Sequence, residues 1–239
     1  MKKILLMFAM LMPALSGLAQ SEAGKLFFYP RIGTSVSNLS KMDRVYIIGD
    51  KQNSIDSKYK AGLTVGGELE YRATDEMSLS AGVFYQQLGC RYPEYTEDLH
   101  DGQGNVQKWG MDKNRVKLQY LSVPLMLNGY VAHGLCLKAG VQVSCLLSSK
   151  WTYDLVEVTE EVGDGGVPKY TYGSRTAGEV KPTTNRVDLS IPVGISYEYM
   201  NVVLDARYNY GLLKTFKKTF DDYAHNRYFT FTVGYKFEL

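Results

Sequence analysis

Between Leu63 and Tyr71 the chain sets Leu63, Val65, Gly67, Leu69 and Tyr71 on one parity and Thr64, Gly66, Glu68 and Glu70 on the other. A period of two puts those sets on opposite faces of a β-strand. The same two-faced pattern returns from Met77 to Tyr85, Leu135 to Leu147, Val187 to Tyr199, Val202 to Leu212 and Phe229 to Leu239. With "KLFFYPRIGTSV" first and "RVKLQYLSVPLML" fourth, eight strands are predicted, and no sustained helical stripe competes with them.

The joins alternate in length. "ATDE", "GYVAHG" and "YMN" are short, whereas the joins near residues 37–58, 91–114, 151–185 and 213–225 are long. Short turns at one end and long loops at the other are the arrangement of a barrel that crosses the outer membrane, with turns in the periplasm and loops outside the cell. In the third long loop "TYDLVEVTE" and "PKYTYGS" alternate on either side of "VGDGGV", so two strands are expected to run on beyond the membrane as a hairpin.

Alternation does not say which face is inside. With apolar residues inward the chain is a soluble lipocalin-like ligand carrier; with apolar residues outward it is a membrane barrel. Three features favour the second. The polar parity is rich in small residues (Gly62, Gly66, Gly82, Gly140, Gly194, Gly234), which a narrow interior needs. Aromatic residues of the apolar parity gather at strand ends: Tyr71, Tyr197, Tyr199 and Tyr235 at the periplasmic rim, Tyr85, Trp151, Tyr208 and Tyr210 at the outer one, as two girdles. The polar parity carries charges of both signs, Glu68, Glu70, Arg72, Lys138, Asp188, Asp205, Arg207 and Lys236, which can pair as an interior network. The expected fold is all-β: an eight-stranded antiparallel up-and-down transmembrane β-barrel with long extracellular loops and short periplasmic turns.

Two features resist this template. Near Tyr120 the apolar parity flips, from Val116, Leu118 and Tyr120 to Leu121, Val123 and Leu125, which predicts a bulge or a change of environment. Pro124 and Pro192 each remove a donor from a sheet with no edge, and local bulges are expected there.

The ends fix the compartment. "MKKILLMFAMLMPALSGLAQ" has two lysines, an apolar run broken by Pro13, and small residues before Gln20. It reads as a signal peptide cut after Ala19, leaving residues 20–239 as one barrel domain exported to the outer membrane of a Gram-negative bacterium. Cleavage removes Lys2 and Lys3 from 27 basic residues and none of the 25 acidic ones, leaving 25 of each. A basic excess of the kind that binds nucleic acid is therefore absent. Three cysteines, Cys90, Cys136 and Cys145, do not make a disulfide framework.

"YPRIGTSVSNLS", "YKAGLTVGGELEYRATDEMSLSAGVFYQQLG", "LQYLSVPLMLNG" and the closing "VGYKFEL" resemble, in that order, blocks of the PorT-like outer-membrane β-barrel family of Bacteroidota, from about residue 25 onward. The resemblance implies a barrel without enzymatic activity, in which the proline at position 124 recurs, and it suggests an accessory role in an envelope secretion or motility machine. Thr232, Gly234, Phe237 and Leu239 resemble the C-terminal β-signal read by the barrel assembly machinery.

Little else points to chemistry. His100, His133 and His225 fall in separate connections, so no Ser/His pair is expected, and the loops lack the oxygen spacing of a calcium site. An eight-stranded interior is about filled by its own side chains, which argues against a pore. The expected role is non-enzymatic and without a cofactor: a monomer in outer-membrane lipid whose loops, with aromatics among charges in "RYPEYTEDLHD" and "FKKTFDDYAHN", contact a protein or glycan.

Overall fold

The computed structural model describes residues 22–42, 44–48, 51–100, 106–162, 168–217 and 224–239. The predicted signal peptide and the "GDGG" hairpin tip lie outside them. The chain begins with β1 (Leu26–Ser40), forms a small hairpin from β2 (Arg44–Ile48) and β3 (Lys51–Ile55), and returns along β4 (Lys58–Arg72). A short turn leads into β5 (Met77–Arg91), after which β6 (Tyr95–His100) pairs with the start of β7 (Val106–Ala132). Beyond a second short turn, β8 (Leu135–Val162) pairs along β7 and then with β9 (Pro168–Val180). β10 (Val187–Tyr199), β11 (Val202–Gly211), β12 (His225–Tyr235) and the two-residue β13 (Phe237–Glu238) follow.

Eight of these strands close an antiparallel ring in the order β1, β4, β5, β7, β8, β10, β11, β12. The seam is the pairing of β12 with β1, from Arg31 opposite Gly234 to Ser40 opposite His225. Closure leaves no edge in the ring, the condition for spanning a bilayer with strands. The three predicted short turns lie together at one end. In one of them Met200 and Asn201 both adopt positive φ, 48° and 65°, the hand that matches the twist of a two-residue hairpin. In another, Thr74 Oγ1 accepts from the Met77 amide at 3.0 Å.

Parity sorts the side chains as the alternation predicts. Along β4, Thr64, Glu68, Glu70 and Arg72 are buried in the barrel, while Leu69 and Tyr71 face out. Leu79, Leu127, Leu137, Val193, Leu204 and Phe231 face out around the wall. An apolar band of this extent is stable against hydrocarbon and not against water. Among the described residues no helix is long and apolar enough to cross a membrane, and the crossing falls to the strands.

The parity flip at Tyr120 has two parts. Along β7, Val116, Leu118, Tyr120, Ser122, Met126 and Asn128 all point inward, so the facing never changes. What changes is the environment, apolar inside at the long-loop end and polar below. The bulge lies on the neighbour: Gln119 pairs with Ser148 but Tyr120 with Leu146, leaving Leu147 extra in β8.

The expected bulges at Pro124 and Pro192 are not found. β5 and β7 keep one register across Pro124, from Ala81 opposite Leu125 to Phe84 opposite Ser122, with the pairing interrupted between. β8 and β10 likewise keep register across Pro192. Both rings point inward and are buried. Each proline drops its hydrogen bond on one side of the strand while the other side stays paired, so no extra residue is needed.

Candidate functional site

Inward alternation on neighbouring strands brings Arg31 of β1, Glu68 of β4, Lys138 of β8 and Asp205 and Arg207 of β11 together across the lumen. Arg207 donates to Glu68 Oε2 at 2.6 Å and to Asp205 Oδ1 at 2.7 Å. Arg31 reaches Asp205 at 2.6 Å and Glu68 at 3.4 Å, and Lys138 lies 3.3 Å from Asp205 and 3.5 Å from Glu68. All five side chains are buried, so each depends on the others for the interactions lost from water.

Glycines make the room. A Cβ at Gly194 would stand 2.9 Å from Arg207 Cγ, and one at Gly234 would stand 2.8 Å from Arg31 Cγ and from the Pro30 carbonyl oxygen. Gly66 and Gly82 similarly seat the inward ring of Phe84. The small residues on the polar parity are thus the sockets of the large ones.

The eight predicted interior residues divide into three places. Glu68, Lys138, Asp205 and Arg207 form the central cluster with Arg31, which the sequence reading missed. Arg31 shares its parity with Phe27 and Tyr29, two aromatics that disguise the inward face; Gly33, Ser35 and Ser37 on the same parity are the signal that could have found it. Glu70, Arg72 and Lys236 lie nearer the short turns. There Tyr130 donates to Glu70, Arg72 pairs with Glu22 and covers the Tyr130 ring, and Lys236 reaches Glu22 at 2.6 Å and Glu198 at 3.1 Å. Asp188 is apart from both, accepting from Asn226 Nδ2 at 2.9 Å.

Above the charges, Gln86, Ser122, Gln142, Ser144 and Tyr228 share a hydrogen-bond network, with Gln142 donating to the Tyr228 hydroxyl at 2.6 Å. Higher still the lumen is apolar. Leu88, Cys90, Val116, Leu118 and Tyr120 from the wall pack with Met42, Tyr92 and Phe216 from the connections. Tyr92 donates to the Met42 carbonyl at 2.9 Å, and Phe216 is fixed by a bridge to Thr184. Between charges and amides is a cavity of about 10 Å³, beside Gln142, Arg207 and Asn209, enough for one water. Among the described residues the lumen is crossed at successive levels by ion pairs, by amide hydrogen bonds and by packed apolar side chains.

Trp151 is corrected. It is not at the outer lipid face: its ring stacks with Tyr92 at 6.3 Å, packs on the apolar plug, and donates from Nε1 to Asn114 Oδ1 at 2.6 Å. The extra residue at Leu147 reverses parity above it, so an odd position that faces lipid lower in β8 faces inward here. The other predicted girdle residues lie on the outward parity, Tyr71, Tyr197, Tyr199, Tyr208, Tyr210 and Tyr235 toward the ends of their strands and Tyr85 midway along β5. The soluble carrier reading is overturned as well, because the apolar wall faces out and the centre of the lumen is ionic.

Beyond the ring, β6, the outer part of β7, the outer part of β8 and β9 form a four-stranded sheet. The β8–β9 hairpin was expected; the β6–β7 hairpin, within the stretch 91–114 read as a loop, was not. Tyr172 on β9 is among the more exposed aromatics, and the exposed pairs Lys113–Asp154 and Arg175–Asp112 cross the sheet at 2.9 and 3.1 Å. The histidines stay apart: His133 in a short turn, His100 at the end of β6, and His225 at the start of β12, where its Nδ1 lies 3.0 Å from the Leu213 carbonyl oxygen. No cluster of metal-ligating side chains occurs among the described residues.

The family model for the outer membrane protein beta-barrel domain matches residues 18–217. The chain belongs to that family. Its place is accordingly the outer membrane, with the short turns of this barrel toward the periplasm. Solved structures to which the chain is similar include Ail, the attachment invasion locus protein of Yersinia pestis, at 14% identity and TM-score 0.40, covering 89% of this chain and 99% of that one. Neisserial surface protein A is 11% identical at TM-score 0.41, with 89% and 97% covered. OprG of Pseudomonas aeruginosa is 11% identical at TM-score 0.40, with 91% and 99% covered. No curated protein gives a significant match.

Proposed function

We propose that this outer-membrane barrel is a non-enzymatic surface protein that binds a protein or glycan through the sheet and loops outside the membrane. The observation that carries the reading is the contrast between a filled lumen and a built outer sheet. Ion pairs and an apolar plug occupy the barrel interior, while β7 and β9 present exposed charged and aromatic side chains, Lys113, Tyr172 and Arg175 among them. Deleting residues 164–166 at the hairpin tip is expected to leave the barrel folded, with its heat-modifiable gel mobility unchanged, and to weaken binding to cells or glycans. Unaltered binding would move the contact surface elsewhere.

We further propose a place among the PorT-like barrels of Bacteroidota, supported by the "YLSVP" block and the order of the four blocks. An accessory role in an envelope secretion or motility machine follows from that resemblance, and in-cell crosslinking tests it, since capture of no envelope component would remove its support. The β-signal role of Thr232, Gly234, Phe237 and Leu239 is likewise our proposal. Phe237 on β13 and Leu239 just after it are both exposed. Replacing both with polar residues is expected to stall membrane insertion; Gly234 is unsuitable for that test, because it also seats Arg31.

A further inference from the structure

We propose that the outer rim of the barrel carries a binding site for the phosphate groups of an outer-leaflet glycolipid, built by Lys58, Arg91, Arg115, Lys117 and Lys150 on four neighbouring strands of the ring. Residues directly opposite one another in a sheet share a face, so the register gives the arrangement. Lys58 is opposite Arg91, and Arg91 is opposite Arg115, making one row across β4, β5 and β7. Two residues nearer the membrane, Lys117 is opposite Lys150. The face is the outward one, since Cys90, Asn114, Val116 and Leu118 between these positions are buried in the barrel while Lys58, Arg91, Arg115, Lys117 and Lys150 are exposed.

Height identifies the ligand. Descending the same face, Lys117 and Lys150 give way to Gln87, Gln119 and Ser148, and then to Tyr85, Leu121 and Cys145, where the apolar band begins. The order cation, amide, apolar follows a lipid from its charged headgroup into its acyl chains.

Like charges directly opposite are destabilising, and the described residues leave most of these five cations without a carboxylate. Lys58, Arg115 and Lys117 make no ion pair with a described residue. Among the described residues Arg91 donates to the backbone carbonyl of Tyr59. Lys150 alone has a carboxylate, Glu179 at 2.9 Å, in an exposed pair. One rung further out, Asp112 and Asp154 are engaged by Arg175 and Lys113. Phosphates held between the rows would turn the repulsion into attraction, with arginine offering paired donors to each.

The test uses the full chain in detergent micelles, titrated with bis-phosphorylated lipid A and read by native mass spectrometry. The double substitution Arg115→Gln, Lys117→Gln is expected to weaken binding about tenfold or more, and Lys113→Gln, outside the rows, to leave it unchanged. Equal binding of the double variant, or of lipid A stripped of its phosphates, overturns the proposal. Competition by millimolar inorganic phosphate would overturn the glycolipid as occupant in favour of a free-anion site. Folding is checked by gel mobility, and should the double variant misfold, Lys58→Gln with Lys150→Gln is judged by the same readout. Deletion of residues 164–166 is expected to leave lipid A binding intact, which separates this site from the outer-sheet contact.

Discussion

On the inward face of β7, Val116, Leu118 and Tyr120 line the outer end of the lumen, and Ser122 and Asn128 line the part below. The strand does not turn between them; its surroundings do. Where the outside of the wall carries Arg115 and Lys117, the inside is apolar, as in a soluble protein. Where the outside carries Leu121, Val123, Leu125 and Leu127, the inside holds amides and then ion pairs. Apolar side chains gain nothing from moving between lipid and a greasy interior, so in the spanning half the interior must be held by polar contacts. In the outer half water is the alternative, and burial of apolar area stabilises in the ordinary way.

That comparison can be broken most severely at the ionic centre. Glu68→Gln leaves Arg31, Lys138 and Arg207 facing Asp205 alone, and loss of a buried partner costs ~3–5 kcal/mol. Urea unfolding in micelles is expected to show that loss globally, and a variant as stable as the parent would mean the cluster is wetted. Leu125→Arg, on the lipid side of the same half, is expected to cost about 2–4 kcal/mol in lipid bilayers. A smaller penalty in bilayers would place the residue away from the membrane midplane. Leu118→Ala in the plug removes buried apolar volume and is expected to cost about 2–3 kcal/mol. Its signature differs, since protease should cleave the connections around Met42 and Phe216 sooner while the spanning part keeps its heat-modifiable mobility. The smallest effect is expected from Trp151→Phe, which keeps the stacking with Tyr92 and drops the hydrogen bond to Asn114, about 1 kcal/mol. Quenching of the Trp151 fluorescence by a lipid-borne quencher, compared with a soluble one, gives a further check. Strong lipid quenching would return this residue to the outer face.

The strands, their order and three short turns were legible because every spanning strand repeats one rule, and a rule repeated eight times leaves little room for another reading. The outer half was less legible because the rule reverses there. Val116, Leu118 and Tyr120 registered as an anomaly whose cause, a change of solvent outside the wall, no periodicity can state. Trp151 was misplaced by one extra residue, Leu147, which only the pairing with Gln119 and Tyr120 reveals. Met42, Tyr92 and Phe216 lie in irregular connections, and nothing in their neighbours' spacing announces that they fold into the lumen. At the centre, Glu68, Lys138, Asp205 and Arg207 were recognisable as inward charges, but their division from Glu70, Arg72 and Lys236 depends on shear between strands, which sequence parity does not encode.

The seam gives the ionic centre one more consequence. Arg31 and Glu68 arrive on the two strands at one side of the junction, Asp205 and Arg207 on β11 at the other, and β12 is the strand between. A sheet that entered the bilayer before β12 met β1 would carry these four charges to an unfinished border facing hydrocarbon. Zipping the border and matching the charges are therefore a single event, and the bilayer itself acts as the inspector that turns back an unclosed barrel.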